Sequence, residues 1–206
     1  PHIRGFLRES RPFQDATTPL ARTFGSWMAI LTGRHPVTTN ARYNLMPRRL
    51  IREGDTLGDA LRSRGYSAIY STDEVRFANF DPSYGFDRMI TPPVGFIDFL
   101  LGYAGDMPLV NLASVTPAGG LLFPSNHANR AAHITYRPGD FIARLEREIE
   151  PRGPTLLTVH LTLAHWPYAW AGEPEPTVPE AYRVAYGDAV QEVDRQFGEV
   201  MGVLAD

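Results

Sequence analysis

Hydrophobic positions along this chain recur with two periods, and the switches between them mark out its elements. Ile3, Phe6 and Leu7 are spaced as on one face of a short helix over residues 2–9. A polar, proline-containing loop over 10–22 then turns into SWMAIL (26–31), a short apolar helix that Gly33 can terminate. Residues 34–54, rich in Arg, Pro, Thr and Asn, read as a long surface connection. Thr56 and Asp59 have the spacing of a capping box, so LGDALRSR (57–64) predicts a helix that ends at Gly65. YSAIYS (66–71) reads as a buried or half-buried strand. A helix, a glycine turn and a strand in that order make half of an α/β unit.

Beyond the strand, residues 71–87 mix charges and aromatics without either period. A loop at the C-terminal end of a strand is where open α/β sheets bind ligands. VGFIDFLLGYA (94–104) is apolar on most sides and predicts a largely buried helix. Residues 105–139 contain Gly, Pro and Asn without clear periodicity and suit a mobile insertion on the substrate side. DFIARLEREIE (140–150) places Phe141, Ile142, Leu145 and Ile149 on one helical face, and Pro151 and Pro154 stop it. In TLLTVHLTL (155–163), Leu157, Val159, Leu161 and Leu163 alternate with Thr158, His160 and Thr162, a strand pattern, with His165-Trp166-Pro167 just beyond its end. A last helix presents Val190, Val193, Phe197, Val200 and Leu204 as its inward stripe. With no internal repeat and no low-complexity linker, residues 1–206 form one α/β domain, a mostly parallel sheet flanked by helices.

Composition narrows the chemistry. With 206 residues, 43% hydrophobic content and 11% aromatics, the chain can bury a substantial core. A net charge of −3 and the absence of any basic block give no support for nucleic-acid binding. All 20 basic residues are arginine, which removes P-loop and Schiff-base lysines. With no cysteine there is no disulfide, thiolate nucleophile or cysteine zinc site. No apolar run approaches the ~20 residues that span a bilayer, so the covered residues hold no membrane segment.

Several residues can carry chemistry by position. Thr23 precedes the SWMAIL helix and Ser26 follows three residues later. A hydroxyl there meets unpaired N–H groups and a helix dipole that favour negative charge, which suits an oxyanion or a nucleophile attacking a charged ester; the alternative is a simple N-cap. His160 lies on the polar side of its strand, where a hydrogen-bonded structural role is the default. His165 lies past a strand end, a position that is as often functional as structural. Asp73, Glu74 and Arg76 form either a solvated turn with surface ion pairs or an anion site, since the planar fork of Arg76 suits sulfate and phosphate. A parallel sheet could bring Thr23, Arg76 and His165 to one edge. No H-E-x-x-H pair, dinucleotide fingerprint, P-loop or G-x-S-x-G elbow is present.

These motifs, taken in order, resemble a known family. T-P-L-A-R-T-F-x-S-W-x-x-I-L-T-G-R-x-P (18–36) resembles the nucleophile region of the sulfatases within the alkaline-phosphatase superfamily. The likeness continues through Arg64-Gly65-Tyr66 before the strand, Tyr84-Gly85-Phe86-Asp87, V-H-L-T-L-A-H-W-P-Y (159–168) and V-D-R-Q-F-G (193–198), and so covers nearly the whole chain. Counting back from Leu31-Thr32-Gly33 places Thr23 at the nucleophile and Ser26 at the motif serine, while Trp27 stands where the motif has an arginine. The family's G-K-W-H loop is replaced by S-T-D-E-V-R-F (71–77), whose Arg76, with Asp73, would take over substrate binding.

What the resemblance implies is an alkaline-phosphatase/sulfatase-like fold, incomplete at both ends, and metal-dependent hydrolysis or transfer of sulfate or phosphate esters. Thr23 cannot become a formylglycine, so it would act unmodified, as in the superfamily's threonine-based phosphotransferases. It would also ligate a divalent metal ion (Ca, Mg, Mn or Zn), whose other ligands are expected outside this chain; the isolated fragment is then expected to be inactive. His165 would bind the ester oxygens or protonate the leaving group. The partner would be a small-molecule, glycan or lipid ester. Relatives with this signature are often membrane-anchored with an outward-facing catalytic domain, which implies a periplasmic or extracytoplasmic location. The alternative is a sulfatase-like domain without catalysis that binds an anionic ligand or partner.

Overall fold

In a computed structural model of the chain, the described residues are 1–52, 54–74, 80–92, 109, 112–113, 116–122, 127–150 and 153–205. Three strands form one parallel sheet: β1 (Ser67–Thr72) lies in the middle, β2 (Arg88–Ile90) on one side and β3 (Thr155–His160) on the other. Ile69 is in register with Arg88 and with Leu157, and Thr72 with His160, so the C-terminal ends of β1 and β3 lie side by side. The parallel sheet agrees with the α/β reading.

Helices cover both faces, because side chains of a strand alternate between them. Ala68 and Tyr70 of β1 face a cluster with Phe24, Met28 and Leu31 of α2 (Thr23–Thr32), together with Tyr84 and Phe86. Ile69 faces the opposite cluster, which holds Phe141, Ile142 and Leu145 of α6 (Pro138–Glu148) and Ala189 and Val200 of α7 (Pro179–Val203). Among the described residues the other helices are α1 (His2–Arg8), α3 (Pro36–Thr39), α4 (Leu57–Arg62) and α5 (Pro117–Leu122).

Local signals place most of these elements. Gly33, at φ 64°, ends α2 in the left-handed conformation. The capping box of α4 forms in full, and Thr56 Oγ1 also donates to the Tyr84 carbonyl at 3.0 Å. Gly58 lets α4 approach that turn, since a Cβ there would sit 2.2 Å from the Gly85 carbonyl oxygen. Asp194 of α7 accepts from the N–H groups of His2 at 3.0 Å and Ile3 at 2.8 Å, tying down α1, and Phe6 meets Phe197 edge-on at 5.5 Å.

The structure also corrects the periodicity reading. The connection over 34–54 contains α3 and a 3₁₀ turn at Arg48–Leu50. β2 carries no pattern of its own, being three residues paired only to β1. β3 is used on both faces, with Leu156 against the α2 cluster and Leu157 and Val159 against the other. The buried face of α7 runs through Ala189, Val193, Gln196, Val200 and Val203, whereas Val190 and Leu204 are exposed. The shift centres on Gln196, which is fully buried because its amide donates to the Tyr136 hydroxyl at 3.0 Å. The helix expected over 94–104 lies outside the described residues.

Candidate functional site

A cavity of about 460 Å³ opens at the C-terminal edge of the sheet, lined by residues from several distant segments. Thr23 comes from the start of α2, Glu74 from just beyond β1, and His160 with most of the residues up to Pro167, though not the buried Leu163, from the end of β3 and its loop. Arg130 and His133 contribute a wall from the loop before α6. This is the edge at which parallel sheets bind ligands, because strand ends there present loop side chains and backbone groups together.

Thr23 is the first helical residue, with Arg22 as an extended N-cap that supplies no side-chain bond. The helix therefore begins three residues earlier than the apolar run suggests. Neither hydroxyl is an N-cap: Ser26 Oγ lies against the Leu20 carbonyl at 2.5 Å and Thr18 Oγ1 at 2.9 Å. Asn44 Oδ1 takes the Phe24 N–H at 3.1 Å. The Thr23 hydroxyl has no hydrogen bond among the described residues, and it lines the cavity at a helix N-terminus.

His165 is exposed and lines the same cavity, its Nδ1 2.9 Å from the Trp166 carbonyl. His160 is more enclosed. The Trp27 ring stands edge-on to it at 5.3 Å, and the Tyr70 hydroxyl lies 3.5 Å from its Nδ1. Burial, opposed by nearby Glu74 and reinforced by His165, lowers the His160 pKa to about 4, so the ring is neutral at pH 7. A neutral imidazole can accept a proton or donate one hydrogen bond.

Asp73 sits behind the cavity with 0% exposure. Its carboxylate accepts from the Tyr136 hydroxyl at 2.8 Å, the Thr162 hydroxyl at 2.7 Å and the Thr162 N–H at 3.0 Å. Burial pushes its pKa up to about 6, held back by Thr162, Tyr136 and the nearby Arg130. Burial and contact with Asp73 push the Tyr136 phenol well above its usual range. Arg76 lies outside the described residues.

Thr23 and His165, at opposite ends of the chain, thus share one cavity. His160, Glu74, Arg130 and His133 join them. A signal existed for His160, whose strand position points it at the same edge as His165, and for Glu74 at the end of β1. Arg130 and His133 fall in the aperiodic stretch before α6, where no local pattern singles them out.

No protein-family model matches the chain, and no curated protein matches it. Among the described residues, no group of three or more His, Asp or Glu side chains is placed to hold a metal ion, and no helix is long and apolar enough to cross a membrane.

Proposed function

We propose that the chain carries the nucleophile and leaving-group residues of a metal-dependent hydrolase or transferase acting on sulfate or phosphate esters, with a sheet of the alkaline-phosphatase/sulfatase type. The observation that carries this reading is the meeting of Thr23 and His165 in one cavity at the C-terminal edge of a parallel sheet. The ordered sequence resemblance assigns roles to these same two residues.

In this reading Thr23 Oγ1 loses its proton to water and attacks the sulfur or phosphorus of the ester, forming an enzyme ester as the bond to the leaving oxygen breaks. The start of α2 favours the charge that gathers on the non-bridging oxygens, and His165 delivers a proton to the leaving oxygen. Water or a second alcohol then takes the group from Thr23, giving hydrolysis or transfer. The divalent metal of such enzymes activates the nucleophile when bound; its ligand set is not found among the described residues, and no step here depends on it. The fitting substrates are small-molecule, glycan or lipid esters, met in a periplasmic or extracytoplasmic setting.

The test is turnover of 4-nitrophenyl sulfate, 4-nitrophenyl phosphate and bis(4-nitrophenyl) phosphate by the complete protein, with Ca, Mg, Mn or Zn added in turn. Turnover by the wild type that Thr23→Ala abolishes supports the assignment, and normal turnover by Thr23→Ala removes it. Binding of inorganic sulfate or phosphate without turnover under any metal supports a binding domain instead.

A further inference from the structure

The backbone on either side of His165 belongs to a circuit of hydrogen bonds that closes on itself. Thr162 donates to the Asp73 carboxylate from both its N–H, at 3.0 Å, and its hydroxyl, at 2.7 Å. The His165 N–H donates to the Thr162 carbonyl at 2.9 Å. Arg130 completes the ring: its Nη2 donates to the His165 carbonyl at 3.1 Å, and its backbone N–H donates to the Asp73 carbonyl at 2.8 Å. Four residues from three distant segments (the end of β1, the loop before α6 and the loop after β3) are linked in this way. Asp73 and Arg130 are almost wholly buried, whereas His165 is exposed.

We propose that Asp73 and Arg130 are positioning residues, which hold the His165 loop at the cavity through a closed hydrogen-bonded ring that depends on the Asp73 carboxylate as acceptor. The inference rests on the reading of His165 as a working residue of the site. An exposed loop histidine keeps a productive place only if its backbone is held by rigid neighbours. Here both the N–H and the carbonyl of His165 are held: the carbonyl also accepts from the Tyr168 N–H at 3.1 Å, and the bonds through Thr162 and Arg130 lead back to Asp73. A second line of bonds braces Asp73 from outside the ring, since Tyr136 donates to it at 2.8 Å and Gln196 of α7 donates to Tyr136 at 3.0 Å.

The ring also has a charge requirement. The carboxylate accepts three donors from Thr162 and Tyr136, and the Arg130 guanidinium favours its ionised form. Among the described residues, Tyr70 and Glu74 on its own segment are titratable groups near it, and α7 brings the uncharged Gln196 and the charged Arg195, which acts on Tyr136. Burial opposes ionisation and brings the Asp73 pKa up to about 6. Protonation converts one acceptor oxygen into a hydroxyl, so the ring loosens as the pH falls through that value.

The experiment compares the complete wild-type protein with Asp73→Asn, Arg130→Gln and the milder Thr162→Val. The first readout needs no turnover: the rate of diethyl pyrocarbonate modification at His165 relative to exposed His35, followed by mass spectrometry from pH 5 to 8. The expected result is a ratio that changes near pH 6 in the wild type, is altered at every pH in all three variants, and has no step near pH 6 in Asp73→Asn. The second readout is ester turnover, where kcat falls about 10- to 100-fold while KM stays within about threefold. The acid limb of the kcat profile is lost in Asp73→Asn. An unchanged modification ratio in folded Thr162→Val and Arg130→Gln overturns the inference, whether or not Asp73→Asn folds. If no ester is turned over, the proposed function fails while the modification ratio still decides the ring.

Discussion

The two walls of the cavity are held by opposite kinds of physics. On one side Thr23 is fixed by apolar packing: the next residue, Phe24, is fully buried, with Phe80 at 5.4 Å and Tyr84 at 6.0 Å between ring centres. On the other side His165 is fixed by hydrogen bonds that converge on one buried residue, Asp73, through its carboxylate and its main-chain carbonyl. Packing is insensitive to pH and fails in proportion to the volume removed. A buried polar network is stable only while every member keeps its partner and its protonation state. The Thr23 wall should therefore be insensitive to pH and give way only to cavities, while the His165 wall should be pH-sensitive.

The largest effect is expected at Thr23. In the complete protein Thr23→Ala should lower ester turnover by about 10³-fold or more. The urea midpoint should change by no more than ~0.5 kcal/mol equivalent, because the hydroxyl makes no hydrogen bond among the described residues and alanine suits a helix. A large loss of stability with retained turnover would reverse the roles assigned to this wall. Phe24→Ala should do the opposite, costing ~3–5 kcal/mol in urea unfolding by leaving a cavity among aromatic rings. That cost should be the same at pH 5 and pH 8, since the rings packed on Phe24 are those of Phe80 and Tyr84, and burial holds the Tyr84 phenol above its usual range.

A third test separates the walls by pH. Asp73 has a folded pKa raised to about 6, so the stability it allows is fully present below the unfolded value near 3.8 and is lost as pH rises through 6. His160 has a folded pKa lowered to about 4, so its contribution is present above about 6.5 and is lost as pH falls toward 4. The two oppose each other over nearly the same window, and the wild-type curve should be shallow there. Asp73→Asn should leave a stability that climbs from pH 4 to 6.5, by roughly 2–3 kcal/mol. His160→Gln should leave one that falls from pH 4 to 6 by a similar amount. Urea midpoints at half-unit pH steps read both slopes, and parallel curves for the two variants would contradict the opposing assignments.

How much of this was legible in the sequence follows the range of the interactions. Gly33 and the Thr56–Asp59 box act within a few residues and mark the end of α2 and the start of α4 correctly, while the alternation over 155–163 finds β3, which ends at His160 and packs on both faces. The shared edge of Thr23 and His165 was also foreseeable, since strand ends and helix starts converge in a parallel sheet. The start of α2 was not, because its N-cap is an arginine with no capping side chain, and Asn44 supplies a bond from twenty residues away. The buried face of α7 was misread at Gln196, whose polarity says surface until Tyr136 is seen beside it. Arg130 was invisible for the same reason. Its importance lies wholly in bonds to residues 57 and 35 positions removed, Asp73 and His165.

The smallest effect should arise where the walls meet. Trp27 belongs to α2, yet its ring stands edge-on to Tyr70 at 6.0 Å and to His160 at 5.3 Å. With Tyr70, whose hydroxyl also lies against His160, it thus links the packed wall to a titratable group of the polar wall. Trp27→Phe keeps an aromatic ring but shortens it, so stability should fall by only about 1 kcal/mol. The sharper consequence is electrostatic. Burial is the main cause holding the His160 pKa down, so letting water in should raise it from about 4 toward 6.5. Histidine ring signals followed by NMR through pH 4–8 would show this shift, while Met28→Ala, a cavity placed deeper in the same cluster, should leave the His160 titration where it was. If both variants moved it equally, the walls would be one cooperative unit, and the contrast between packing and hydrogen bonding would not extend to how each responds to damage.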